Sequence, residues 1–176
     1  TLPYEAERDL TFRAADTLEQ LAGRRPVGIR TASWDFSVGT LRVIRALGLL
    51  YDSSLMADDD AYELMDGDEA TGIVELPPEW IRDDAVYFNM LRSSGLRPYT
   101  PPSAVEEIFR TEFDGAYAEG GLFVLTMHPH IIGHRSRIPL LERLIGHMKA
   151  RGKCWFATHA QVAAWCKEHA SQPSPP

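Results

Sequence analysis

The stretch Leu122-Phe123-Val124-Leu125-Thr126-Met127-His128-Pro129-His130 joins a short apolar run to a polar, histidine-bearing loop. A helical pattern follows it. A buried parallel strand presents chemistry in this way: the strand fixes the backbone, and the residues past its C-terminal end face a crevice. No other stretch combines so strong a strand signal with groups able to move protons near neutrality. The reading of 122–126 as a parallel strand therefore points to an α/β fold.

Neighbouring segments repeat the alternation. Residues 5–22 read as a helix with Leu10, Ala14, Leu18 and Leu21 on its apolar side, ended by Gly23. Val27-Gly28-Ile29-Arg30 is a strand, and Gly28 marks a close backbone approach. A helix capped by Ser37 carries Leu41, Ile44 and Leu47, and Leu49-Leu50-Tyr51 is the next strand. Strand, loop, helix and strand within so few residues argue for parallel pairing.

Residues 57–70 read as an acidic solvated loop, 72–76 as a strand, and 85–100 as irregular. Ser103 with Glu106 reads as a capping box for a helix over 103–119. A helix capped by Ser136, a last strand Cys154-Trp155-Phe156-Ala157, and a closing helix with a Thr158/Gln161 box follow. Residues 171–176 read as a flexible Ser/Pro-rich tail. The whole is one domain of 176 residues. Four or five strands cannot close an eight-stranded barrel, so the chain forms an open sheet or part of a barrel.

Charge excludes one class of partner. The chain carries 25 acidic against 18 basic residues, a net charge of -7. It has no basic stripe with which to follow a phosphate backbone, so nucleic acid is not expected as a partner. No stretch approaches the ~20 apolar residues of a membrane span, and the start does not read as a signal peptide. A cytoplasmic location is expected. Cys154 and Cys166 read as buried thiols.

The residues that can carry chemistry sit at strand ends. His128 can protonate a leaving nitrogen or steady an oxyanion. His130 follows two residues later, and in an extended loop the two rings point to opposite sides. A single His-x-His pair without a third ligand is weak ground for a metal site. Arg30 can grip a carboxylate or other anion, or lie on the surface. Trp34 is a groove wall or core packing. Trp80, Asp83 and Asp84 form an acidic-aromatic group in which an aspartate can orient a histidine. Asp52 is expected to organise its loop by accepting backbone hydrogen bonds. His134, Arg135 and Arg137 can meet substrate oxygens or remain solvated. No Gly-x-Ser-x-Gly or His-Glu-x-x-His motif occurs.

Taken in order, Gly28-Ile29-Arg30-Thr31-Ala32-Ser33-Trp34-Asp35, then Leu49-Leu50-Tyr51-Asp52-Ser53-Ser54-Leu55, then Trp80 with Asp83-Asp84, then Leu125-Thr126-Met127-His128-Pro129, resemble the later motifs of the polysaccharide deacetylase (NodB-homology) family. The likeness is nearest to its intracellular peptidoglycan deacetylase-like and allantoinase-like branch. It implies part of a distorted (β/α) barrel with fewer than eight strands, parallel and linked by helical crossovers. It implies a hydrolase of non-peptide C–N amide bonds, with an N-acetylated amino sugar as the leading substrate.

In that likeness His128 is the general acid, and Asp84 or Asp83 supports it, Asp84 being preferred. Arg30 holds a base aspartate and Trp34 lines the groove; apart from the likeness, Trp80, His130 and Arg137 are expected to bind substrate. The family's early motifs, a base aspartate beside a metal aspartate and a His-x-x-x-His pair, are absent. No residue of this chain is therefore assigned as a metal ligand. A divalent ion such as zinc is expected with ligands upstream, and a metal-independent branch is the alternative. The chain then corresponds to a C-terminal portion, completed by a missing N-terminal half or by a homo-oligomeric partner. The other readings are a related allantoinase-like amidohydrolase, a glycan or small-amide binding module, and a structural subunit. The hydrolase reading requires Arg30, Trp34, Asp84 and His128 to converge.

Overall fold

The computed structural model describes residues 2–89 and 100–170. The proposed tail at 171–176 and most of the irregular stretch 85–100 lie outside the described residues. The chain divides into two compact units, residues 1–77 with 157–176, and residues 78–156. Each is described by itself.

The first unit opens with helix α1 (Tyr4–Ala22), stopped by Gly23 in the left-handed region. Strand β1 (Gly28–Ile29), helix α2 (Thr40–Leu47) and strand β2 (Tyr51–Asp52) form the expected unit, with β1 and β2 parallel. Gly28 meets the constraint read from the sequence. A Cβ there would come within 2.2 Å of the Tyr51 ring. Strands β3 (Tyr62–Asp66) and β4 (Glu69–Glu75) follow, and β4 pairs parallel to β2. The sheet is open and mixed, in the order β1-β2-β4-β3.

The acidic stretch 57–70 is thus only partly a loop. β3 and β4 pair antiparallel through Asp66 and Glu69. The acidic side chains turn outward while Leu64, Ile73 and Val74 are buried. The few buried apolar positions sit inside a charge-rich composition, which masked the hairpin. Ile44, Leu49, Leu64 and Ile73 make the core of this unit. The apolar side read for α1 is a second correction. Ala15 is its buried residue, while Leu10, Leu18 and Leu21 are exposed. Helix α1 is instead anchored at its start, where Ser37 donates to Glu7 at 2.6 Å and Arg42 lies over the Tyr4 ring.

The closing helix α7 (His159–His169) also belongs to this unit. It begins with the expected capping box, Thr158 against Gln161. The N-terminal caps read at Ser37, Ser103 and Ser136 fail. Ser37 accepts the Gly39 N–H ahead of α2 rather than capping it.

The second unit holds helices α3 (Asp84–Phe88), α4 (Pro102–Glu119), α5 (Pro129–Ile132) and α6 (Ile138–Arg151). Phe88, Val105, Phe109, Phe113, Ile131, Ile132, Leu140, Leu144 and Met148 form its core. Neither α4 nor α6 has a side-chain cap. Glu106, read as half of a capping box, binds Arg143 of α6 instead at 2.5–3.0 Å. That ion pair holds the Glu106 carboxyl below its usual range.

The stretch 122–126 does not form a regular strand. It makes one isolated parallel bridge, Thr126 to Asp83. Residues 154–157 carry no strand either, and Trp155 and Phe156 are exposed. Both runs have the composition of buried strands, but composition supplies no hydrogen-bonding neighbour. A strand exists only where a second backbone lies alongside.

Candidate functional site

In the second unit the isolated bridge builds the site. Thr126 N–H donates to Arg82 O at 2.8 Å, and Asp84 N–H donates to Thr126 O at 3.1 Å. This clasp brings residues 82–84 beside the segment that ends in His128. Asp83 caps α3 by accepting the Ala85 N–H at 2.6 Å. The helix therefore starts at Asp84, whose fully buried carboxylate turns to His128.

The His128 backbone N–H donates to both Asp84 oxygens, at 3.0 and 3.2 Å. Its Nδ1 lies 2.6 Å from Asp84 Oδ1. Backbone and ring are thus gripped by one carboxylate. With Nδ1–H given to Asp84, Nε2 is the ring nitrogen left to exchange a proton. Asp83 Oδ1 is 3.8 Å from Nδ1. Burial pushes the Asp83 carboxyl above its ordinary range.

His130 sits in the first turn of α5 and is exposed. The two imidazoles meet edge to face, 5.8 Å between centroids. The expectation that they point to opposite sides assumed an extended loop. Pro129 instead starts a helical turn, with His128 as its N-cap residue, and folds the pair together. Trp80 exposes its indole on the turn Trp80–Arg82. Arg137 donates to Ile131 O at 2.9 Å and lies over the Phe88 ring.

Asp83, Asp84 and His128 bring three potential ligand atoms within 4.8 Å of one another. This corrects the expectation that metal ligands lie only upstream of the chain. Two carboxylates and an imidazole are a donor set that suits a divalent ion. An ion bound by both His128 Nδ1 and Asp84 Oδ1 would replace their hydrogen bond, since the two atoms now stand only 2.6 Å apart.

Arg30 and Trp34 belong to the first unit. Arg30 Nε donates to Ser53 O at 2.9 Å, and its Nη2 lies 2.6 Å from Ser53 Oγ and 3.4 Å from His159 Nε2. Burial, reinforced by Arg30, lowers the His159 pKa and keeps the ring neutral as an acceptor. His159 was not among the sequence candidates. Its signal was available: the Thr158/Gln161 box places residue 159 at the first position of a helix. Ser33 and Trp34 lie at φ 55° and 57°. Two consecutive non-glycine residues in the left-handed region mark a strained loop, at about 1–3 kcal/mol each. Asp52 organises its loop as expected, accepting the Ser54 N–H at 2.9 Å.

No family model matches the chain. A peptidoglycan deacetylase of Helicobacter pylori is 25% identical over 89% of this chain and 62% of its own length. The crystal structure of a "putative polysaccharide deacetylase" from Mycobacterium smegmatis is 32% identical, with a TM-score of 0.87, over 99% of this chain and 60% of its own. A PuuE allantoinase shares the fold at 24% identity and a TM-score of 0.80, over 99% of this chain and 56% of its own. The chain is thus similar in sequence and fold to polysaccharide and peptidoglycan deacetylases. It spans about 60% of the length of these relatives, and the His/Asp/Asp cluster fits a deacetylase-type site.

Proposed function

We propose that this chain is part of a hydrolase that cleaves a non-peptide C–N amide bond, with an N-acetylated amino sugar as the leading substrate. The observation that carries the reading is the buried Asp84 carboxylate gripping both the backbone and Nδ1 of His128. Such a grip leaves Nε2 aimed and chemically available, as general acid catalysis requires.

In this mechanism water adds to the amide carbonyl, the C–N bond breaks, the departing nitrogen takes a proton from His128 Nε2, and the proton that the attacking water sheds restores the His128 acid. The products are a carboxylic acid and an amine. Asp84 holds the tautomer and steadies the imidazolium before it gives up its proton. Trp80 and His130, in the same unit as His128, line the substrate, and Arg30 keeps the role of gripping an anionic group. A divalent ion, when bound, polarises the carbonyl and lowers the pKa of a bound water. Asp83, Asp84 and His128 are the residues of this chain that would hold it, as an alternative to the acid step above, because the ion would take the place of the Asp84–His128 hydrogen bond.

The relatives' greater length and the exposed Leu10, Leu18, Leu21, Trp155 and Phe156 support completion by further β/α structure. That structure is an N-terminal half or a second copy. Strand β1, at one end of the sheet order, offers an edge for it. Among the described residues no helix is long and apolar enough to cross a membrane. Two free cysteines fit a reducing compartment, and a cytoplasmic location is part of the proposal.

His128→Ala in the complete protein tests the reading. Acetate release from N-acetylglucosamine glycans should fall by about 10²–10⁴-fold with the fold intact. Undiminished turnover removes the acid role. Glycan binding without any turnover, in the unsubstituted protein, favours the binding-module alternative.

A further inference from the structure

Asp52 and Glu75 take no part in the proposed hydrolytic step, yet both are fully buried. An isolated carboxylate is costly in such a place, and two adjacent ones more so. Their hydrogen bonds converge on one turn. Glu75 Oε1 accepts the N–H of Ser54 at 2.8 Å and of Leu55 at 3.0 Å. Asp52 accepts the Ser54 N–H at 2.9 Å and the Ser54 hydroxyl at 3.0 Å. Glu75 Oε2 is buried without an N–H or O–H partner. Asp52 and Glu75 stand opposite each other in register on the parallel strands β2 and β4, and both carboxyls reach the Ser54 N–H. Two carboxyls in that relation are stable when one keeps its proton and donates to the other.

The two serines carry the effect onward. Ser54 Oγ accepts the Thr31 N–H at 2.9 Å. The Ser53 hydroxyl donates to Leu76 O at 2.6 Å, which turns its lone pairs toward Arg30. Arg30 donates to that oxygen from Nη2 at 2.6 Å and from Nε at 3.2 Å, and to Ser53 O from Nε at 2.9 Å. Every link lies in the first unit.

We infer that Glu75, as a neutral acid donating to Asp52, is a positioning residue: it locks the Ser53–Ser54 turn that aims the Arg30 guanidinium. The catalytic purpose of that aim rests on the hydrolase reading; the positioning does not. The other titratable groups facing the pair and its turn are Tyr62 of β3, which feels both carboxyls, and Tyr51 and His159 beside Arg30.

The test uses the full-length protein labelled with [15N]arginine. The Arg30 Nε–H should exchange slowly in the unsubstituted protein and in Glu75→Gln, whose amide reproduces both the donor and the acceptor. It should exchange more than about tenfold faster in Glu75→Ala and in Ser53→Ala. Protection unchanged in Glu75→Ala, or lost equally in Glu75→Gln, overturns the inference. If Glu75→Ala fails to fold, the 13C carboxyl signal of Glu75 in the unsubstituted protein decides. A protonated acid at neutral pH supports the inference, and an ionised one overturns it. Turnover lost in Glu75→Ala should return in Glu75→Gln. Absence of turnover in every version counts against the hydrolase reading alone and leaves the exchange result standing.

Discussion

Replacing Glu75 with Gln should flatten the dependence of folding stability on pH. In the folded chain, burial and then the hydrogen bond and charge of Asp52 push the Glu75 carboxyl up to about 9, from an ordinary 4.5. Between those values the folded state keeps a proton that the unfolded chain releases. The associated stability is whole below the unfolded value, drains as pH rises, and is gone above the folded one. One retained proton corresponds to about 1.4 kcal/mol per pH unit inside the window. Asp52 is raised too, chiefly by burial, and shares the proton, so the pair counts once. From about pH 5.5 to about pH 7.5 the unsubstituted protein should lose about 2–3 kcal/mol relative to Glu75→Gln. Urea unfolding of both proteins at several pH values measures this difference. Groups such as Asp83 and His159 titrate alike in both and cancel. A stability difference constant to within about 0.5 kcal/mol over that range would refute the shared proton, because glutamine has none to lose.

Other expectations can be checked alongside. Asp84→Asn in the complete protein should cut kcat by about 10²-fold or more, since its NH2 would face an N–H of His128 and its neutral oxygen would no longer steady the imidazolium; a kcat near that of the unsubstituted protein would show that the grip is dispensable. Gly28→Ala drives a methyl into the Tyr51 ring and should cost about 1–3 kcal/mol by denaturant unfolding. Phe109→Ala, emptying a fully buried site, should cost about 3–5 kcal/mol by the same measurement. Chelation followed by readdition of zinc should remove and restore turnover if the enzyme is metal-dependent, and metal analysis of Asp83→Ala shows whether this chain supplies a ligand.

The helices over 4–22 and 102–119 were legible because each has a long 3.6-residue pattern and a glycine stop. Parallel pairing of the strands at 28–29 and 51–52 followed from a helix lying between short apolar runs; that of 51–52 with 69–75 did not, since β3 and no helix lies between them. His128, with Asp84 as its partner, was legible from residue type, proton chemistry and the likeness to known motifs. The shared face of His128 and His130 was not, because it depends on whether Pro129 starts a helical turn.

What the linear chain determined is therefore local: periodicity, stops, and which side chains can move a proton. What tertiary structure alone decided is partnership. Asp84 meets His128 because a single Thr126–Asp83 bridge sets two distant segments side by side. Asp52 meets Glu75 because their strands run parallel in register. The runs at 122–126 and 154–157 have strand composition without strand pairing. A hydrogen bond needs a second group at about 3 Å, and composition says nothing of where that group lies.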